Sequence, residues 1–201
     1  MYPIKPGRKL PSELENPVDV LFLDIFDGIK PCLHDLGVTP NHLTLLSAVF
    51  GVAAIYAISC NHFVLSSILY AFSYYLDCVD GNYARTYDMT SQFGDWFDHV
   101  KDIVVFIGLV VVIAKNTVIS IRSKICLSVL VVCLSILTYV AYGCQEKFFN
   151  KPTATTASSI QYCRGDASTL LRRLRFFNST TLVITICCFL LSIPCMGSEW
   201  E

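Results

Sequence analysis

Six aspartates, Asp77, Asp80, Asp88, Asp95, Asp98 and Asp102, are the only acidic residues in the 110 positions from Leu36 to Gln145, and all six fall within 26 of them. Carboxylates gathered so closely repel one another unless cations lie among them. Lys101 and Arg85 are too few to neutralise the cluster. Oxygen-only ligands suit a hard divalent cation, magnesium first, manganese second and calcium less well. If the helix carrying Asp77 continues to Arg85, then Asp77 and Asp80 (i, i+3) share a face with Ala84, and Gly81 and Arg85 sit beside it. If a second helix begins near Gly94, Asp98 and Asp102 (i, i+4) form one stripe with Asp95 a turn earlier. Two such helices would aim Asp77, Asp80, Asp98 and Asp102 into one pocket. Two magnesium ions about 3.5–4 Å apart would balance four carboxylates and leave positions for a diphosphate. Asp88 reads as loop surface, and Asp95 as a solvated or N-capping residue.

The elements that must position these acids are apolar. The chain has 201 residues, 54% hydrophobic and 15% charged, with mean hydropathy +0.55; soluble domains carry about a quarter charged residues. This excludes a disordered chain and argues against an ordinary soluble domain, and a net charge of −1 gives no reason to expect nucleic acid. Five apolar stretches, Leu43 to Cys60, Phe63 to Leu76, Trp96 to Ala114, Ile125 to Tyr142 and Phe176 to Pro194, read as membrane spans, the second completed only if its helix runs on through the acidic stretch. Gly143 to Arg175 is polar and reads as a loop or surface helix. With the N-terminus inside, eleven Lys and Arg fall on the inner side and three on the outer. That asymmetry predicts a cytoplasmic N-terminus and a cytoplasmic acidic stretch.

The N-terminal segment lacks the apolar core of a cleaved signal peptide. From Asn16, a capping residue followed by Pro17, the residues Leu21, Phe22, Ile25, Phe26 and Ile29 recur at helical spacing. They predict an amphipathic helix on a membrane surface that Pro31 ends or kinks. Of the ten cysteines, Cys60, Cys126, Cys133, Cys187, Cys188 and Cys195 lie in or beside apolar stretches and read as small buried hydrophobes, with no disulfide required. Carboxylates at membrane depth also mark ion pathways, so a divalent-cation transporter is a competing reading, although the first, fourth and fifth spans carry no acid.

Read in order, the acidic stretch is Asp77-x-x-Asp80-Gly81-x-x-Ala84-Arg85, eight residues, Gly94-x-x-x-Asp98-x-x-x-Asp102. At every fixed position this resembles the signature of the CDP-alcohol phosphatidyltransferase (class I) family. Thr39-Pro40-Asn41 with Leu43-Thr44 is similar to the family's turn into the first span, and Asn16 to Lys30 to its interfacial helix. The resemblance implies an all-α integral membrane protein, with a tail and amphipathic interfacial helix over 1–38 and a transmembrane phosphotransferase domain over 39–201. About five spans are expected here, where the family has six. It implies transfer of a phosphoalcohol, in this reading a phosphatidyl group, from a CDP-linked donor to an alcohol with release of CMP, in phospholipid biosynthesis. Asp77, Asp80 and Asp98 would hold metal, and Asp102 would be the general base and touch the second ion. Gly81, Ala84, Arg85 and Gly94 would meet the CDP donor. His99 directly after Asp98 is similar to the branch that transfers phosphocholine or phosphoethanolamine to diacylglycerol, the alternative reading. An inactive homologue is a further one, against which the intact motif argues. His99, Arg164, Arg172 and Arg173 are candidates for acceptor or lipid contact. The implied partners are the donor, the acceptor, membrane lipids and a second copy of the chain.

Overall fold

A computed structural model describes residues 4–149, 157–163 and 165–197. Among them the secondary structure is helical: α1 (Pro17–Asp27), α2 (Lys30–Asp35), α3 (Pro40–Ser59), α4 (Phe63–Thr86), α5 (Gln92–Lys115), α6 (Ile121–Phe149), a 3₁₀ turn (Ala157–Tyr162), α7 (Ala167–Leu174) and α8 (Ser179–Gly197). Three stretches, Pro40–Ser59, Ile121–Phe149 and Ala167–Pro194, are long and apolar enough to cross a membrane by length and composition. Helices α4 and α5 have 24 residues each, about 36 Å at the α-helical rise, with charge gathered toward one end.

Sequence signals set the helix ends. Asn16 Oδ1 accepts the Val18 N–H at 2.9 Å and Pro17 opens α1, as the sequence predicts. Pro31 stands in the first turn of α2, so the chain breaks at Gly28 and restarts. At the start of α3 the Thr39 N–H donates to His42 Nδ1 at 3.1 Å. Ser91, not Asp95, caps α5, its hydroxyl accepting the Gly94 N–H at 3.0 Å. At the far end of α5, Lys124 donates to the carbonyls of Ala114 at 2.8 Å and Asn116 at 2.6 Å, satisfying oxygens that the helix leaves open.

Side-chain contacts give the directions. Ser47 meets Ser73, and Ser66 donates to the Ala54 carbonyl, so α3 and α4 run antiparallel. Ser67 donates to the Cys187 carbonyl while Tyr74 meets Thr180, so α4 and α8 are antiparallel too. Helix α5 runs parallel to α3: a Cβ on Gly51 would fall 2.8 Å from Val105 Cγ2, and one on Gly108 2.5 Å from Ile55 Cδ1. Small residues let these two backbones approach, as in membrane helix pairs. Tyr142 near the end of α6 meets Ser179 at the start of α8 at 2.7 Å, so the ends of α4 and α6 lie with the starts of α3, α5 and α8.

Apolar side chains cover the outside as well as the core. Ile58, Leu109, Ile119, Leu127 and Leu190 are packed inside, while Val49, Val52, Ile103, Ile107, Val129 and Ile136 are each more than half exposed. A soluble monomer does not leave that much apolar surface to water. This is a membrane protein. On α1 the buried stripe is Leu23 and Phe26, packed with Leu43, Val79 and Tyr83, while Leu21 and Ile25 are exposed.

Two expectations about cysteine are corrected. Cys144 at the end of α6 and Cys163 ahead of α7 form a disulfide. It is buried with Leu14, Ala167 and Leu171, at the same end of the bundle as the acids. Cys60, Cys126, Cys133 and Cys188 are exposed rather than packed inside, while Cys187 is buried. Cys195 lies among residues whose side chains are not described. A cross-link over a separation of 19 residues restrains the unfolded chain by about 3 kcal/mol. Cys163→Ser is therefore expected to lower the thermal unfolding midpoint in detergent and to remove its sensitivity to reductant. An unchanged midpoint would show that packing alone docks α7.

Candidate active site

Helices α4 and α5 bring three of the predicted acids together. One carboxylate oxygen each of Asp77, Asp98 and Asp102 lies within 4.8 Å of the others. The Lys101 ammonium sits among them, hydrogen-bonded to Asp77, 2.8 Å from Asp102 Oδ1 and 3.1 Å from Asp98 Oδ1. Its side chain is 4% exposed, those of Asp77, Asp98 and Asp102 are 19%, 32% and 56% exposed. Asp98 Oδ1 is a buried oxygen that makes no hydrogen bond. A donor set of three carboxylates drawn around one cation fits a hard divalent ion.

Asp80 is not in that group. It turns to α3, where Thr44 donates to its Oδ2 at 2.6 Å, and is buried. Positions i and i+3 share a helix face but need not reach the same neighbour: here Asp77 points to α5 and Asp80 to α3.

Beyond Asp80, the N-terminal segment crosses the end of α4. Gly7 adopts φ +76°, and a Cβ there would fall 2.2 Å from Thr86 Oγ1 and 2.7 Å from the Asn82 carbonyl, so only glycine fits this crossing. Arg85 Nε donates to the Gly7 carbonyl at 2.8 Å. Its guanidinium covers Gly81, where a Cβ would be 3.1 Å from Nη1, and Ala84 beside it is buried. Arg8 fastens the same segment to α1, with its guanidinium buried against Asp24 at 2.7 Å and Glu15 at 3.1 Å. Lys5 also donates to Asp24 Oδ1 at 2.8 Å, and Lys5 first, with Arg8, holds the Asp24 carboxyl below its usual range.

At the start of α5, a Cβ on Gly94 would come within 3.1 Å of Asn41 Oδ1, so the glycine gives room where the loop returns. His99 is exposed, its Nδ1 2.8 Å from the Asp95 carbonyl of its own helix. Asp88, at φ +54°, is exposed loop. Arg172 and Arg173 are exposed on α7. Asp166 caps that helix, accepting from Ser168 and from the Thr169 N–H, which hold its carboxyl down to about 2. Arg164 lies outside the described residues.

A cavity of about 200 Å³ opens beside the acids. It is lined by Asp77, Lys101 and Asp102, by the hydroxyl-bearing Ser47, Ser73, Tyr74 and Ser179, and by apolar residues such as Phe106, Val131 and Ile186. The wall is braced from behind, because Tyr74 meets Thr180 at 2.9 Å and Thr180 donates to Asp19 at 2.5 Å. Asn178 also donates to Asp19 at 2.7 Å, tying α1 to the start of α8. Burial pushes the Asp19 carboxyl up against these bonds. A larger depression of about 510 Å³ at the opposite end, between His62 and Pro194, carries no carboxylate.

Sequence reasoning missed Lys101 as the centre of the group and Thr44 as the partner of Asp80. The signal for Lys101 was present, since Asp98 stands three residues before it on one helix, a spacing at which opposite charges meet. Nothing in the sequence signalled the Thr44 contact, which joins two helices.

A family model described as CDP-alcohol phosphatidyltransferase matches residues 37–196. An archaetidylinositol phosphate synthase of Pyrococcus horikoshii is 34% identical over 76 residues, 38% of this chain and 40% of that protein. A CDP-diacylglycerol–serine O-phosphatidyltransferase of Helicobacter pylori is 36% identical over 74 residues, 37% of this chain and 31% of its own length. The matched region thus spans well under half of these relatives. No solved structure matches the chain significantly.

Replacing Thr44 by Val is expected to leave the buried Asp80 carboxylate without its hydroxyl donor and to cost about 1.5–3 kcal/mol, with Ser restoring most of the loss. Thermal unfolding of both variants checks this. Equal stability of Val and wild type would show that Asp80 does not depend on α3.

Proposed function

The chain belongs to the CDP-alcohol phosphatidyltransferase family, and from that premise we propose that it transfers a phosphoalcohol group from a CDP-linked donor to an alcohol acceptor, releasing CMP, in phospholipid biosynthesis. The observation that carries the proposal is the convergence of Asp77, Asp98 and Asp102 from two helices, with Asp77 and Asp102 lining a cavity. In this reading the three carboxylates hold divalent metal, most simply magnesium, and Asp80, pinned by Thr44, completes the acidic surround. Metal bound there would offset the charge of the donor diphosphate and of the departing CMP.

The residues of the chain do the rest. Arg85, already held by Gly7, presents its remaining guanidinium nitrogens to donor phosphate. Gly81, Ala84 and Gly94 keep the donor face low. Asp102, the most exposed of the three acids and part of the cavity lining, takes the proton of the acceptor hydroxyl. The acceptor oxygen forms its bond to the phosphorus of the transferred group, and the bond from that phosphorus to the bridging oxygen of CMP breaks. Exposed Arg172 and Arg173 are read as lipid or acceptor contacts at the same end.

Two donors fit. The name of the Helicobacter pylori relative favours a lipid-linked CDP donor and a polar alcohol, the reading adopted here; Asp98-His99 favours CDP-choline or CDP-ethanolamine with diacylglycerol. We further read all five long helices as spans, α1 as an interfacial helix whose exposed Leu21 and Ile25 meet lipid, and the acidic end as cytoplasmic.

Purified protein with magnesium is expected to release CMP from CDP-diacylglycerol when given inositol phosphate, serine or glycerol phosphate. Asp102→Asn should slow release by a factor of about 10²–10⁴, and Asp77→Asn, which removes a metal ligand, should lose CMP release. Product from CDP-choline and diacylglycerol alone would select the other donor, and full release by both variants would contradict the roles assigned. The topology has its own check. The Cys144–Cys163 disulfide lies at this end, so a cytoplasmic placement requires that it form only after the protein leaves the reducing cell interior, and thiol trapping before lysis should then find free thiols. A fully oxidised pair would place this end outside the cytoplasm.

A further inference from the structure

We propose that Lys9, on the segment ahead of α1, is a further contact for the donor diphosphate, which it meets together with Arg85. The inference rests on the reading of Arg85 as a donor contact and adds to it a cation from outside residues 37–196, the stretch shared with the family.

The segment that carries Lys9 is fixed on both sides of it. Gly7 is seated against Thr86 and Asn82 of α4, and its carbonyl accepts from Arg85 Nε at 2.8 Å. Arg8 turns inward, its side chain 1% exposed and held by Glu15 and Asp24. Leu10 and Leu14 are buried a few residues on. Lys9 therefore stands between two inward-facing neighbours and is itself exposed. It is two residues from Gly7, so its Cα lies at most about 7.6 Å from the Cα of the residue that holds Arg85. A lysine side chain is long enough for both cations to reach one diphosphate from there.

Charge separates Lys9 from an ordinary surface lysine. Of the cations on this segment, Lys5 and Arg8 are paired with carboxylates, whereas Lys9 has no ion-pair partner among the described residues. Desolvation by the protein around it lowers its pKa, the Arg85 charge adds to this, and Asp98, Asp95 and Asp80 act the other way. The ammonium thus lies within electrostatic reach of both Arg85 and the acidic group. Like charges held near each other on fixed elements repel, and an anion lodged between them relieves that repulsion. A diphosphate bound beside the acids supplies such an anion, and the ammonium donates hydrogen bonds to its oxygens. The phosphate of a membrane lipid headgroup offers the same chemistry, so the test separates the two sources.

Calorimetric binding of CDP with magnesium, to protein in uncharged detergent, tests this for wild type, Lys9→Met and Lys9→Arg. The Met variant should bind CDP about tenfold more weakly, the weight of one charged hydrogen bond, and the Arg variant should restore binding. In turnover, the KM for the CDP-linked donor should rise in Lys9→Met by more than kcat falls. Wild-type CDP affinity in the Met variant would overturn the proposal, including the case in which only binding to phosphatidylglycerol vesicles weakens, which would make Lys9 a headgroup contact. A loss that Arg does not restore would make the role structural and overturn it as well. Failure of the wild type to bind CDP would instead overturn the donor reading of Arg85 beneath it, so the two failures are distinguishable.

Discussion

Like charges held close together at the edge of a low-dielectric layer dominate this structure. Three aspartates from two helices face one another within a few ångströms, where water screens them less than at an ordinary surface. Such a group is stable only with positive charge inside it. Lys101 provides part of that charge, and the deficit that remains is what the proposed divalent ion would meet. The disposition of the helix ends, the N-terminal strap and the cavity all bear on this one requirement.

The scaffold meets it by close packing of small and polar residues. Gly51 and Gly108 let α3 and α5 run side by side, and the Ser47–Ser73 and Ser67–Cys187 contacts fix α4 between α3 and α8. With α4 so held, Asp77 meets Lys101 of α5 and Asp80 meets Thr44 of α3. The N-terminal segment then closes over the end of α4, placing Arg85 above Gly81 through a single backbone carbonyl. Asp19, Asn178 and Thr180 anchor α1 to the start of α8, on the side of the cavity away from the acids.

Much of this was legible in the sequence, for local reasons. Asn16-Pro17, Pro31 and Thr39-Pro40 mark helix ends through backbone chemistry that operates within a few residues, and the structure places the ends there. The apolar runs anticipated the long helices, and the fixed spacing of the aspartates anticipated the convergence of Asp77, Asp98 and Asp102. What could not be read depends on contacts between distant segments. Helical spacing put Asp77 and Asp80 on one face but could not say that two different helices flank that face. Lys101 was legible as one of two cations set against the cluster, but its enclosure by three of the acids depends on how α4 packs on α5. Cys144 and Cys163 carry no recognisable cysteine pattern, and their pairing follows only from the way α7 folds back on α6.

The account turns on whether a divalent ion sits among these three carboxylates. Anomalous diffraction from crystals grown with Mn²⁺ addresses this directly. The structure requires a peak bounded by Asp77, Asp98 and Asp102, at oxygen distances of about 2.1 Å. A peak elsewhere, or none at saturating Mn²⁺, would contradict it.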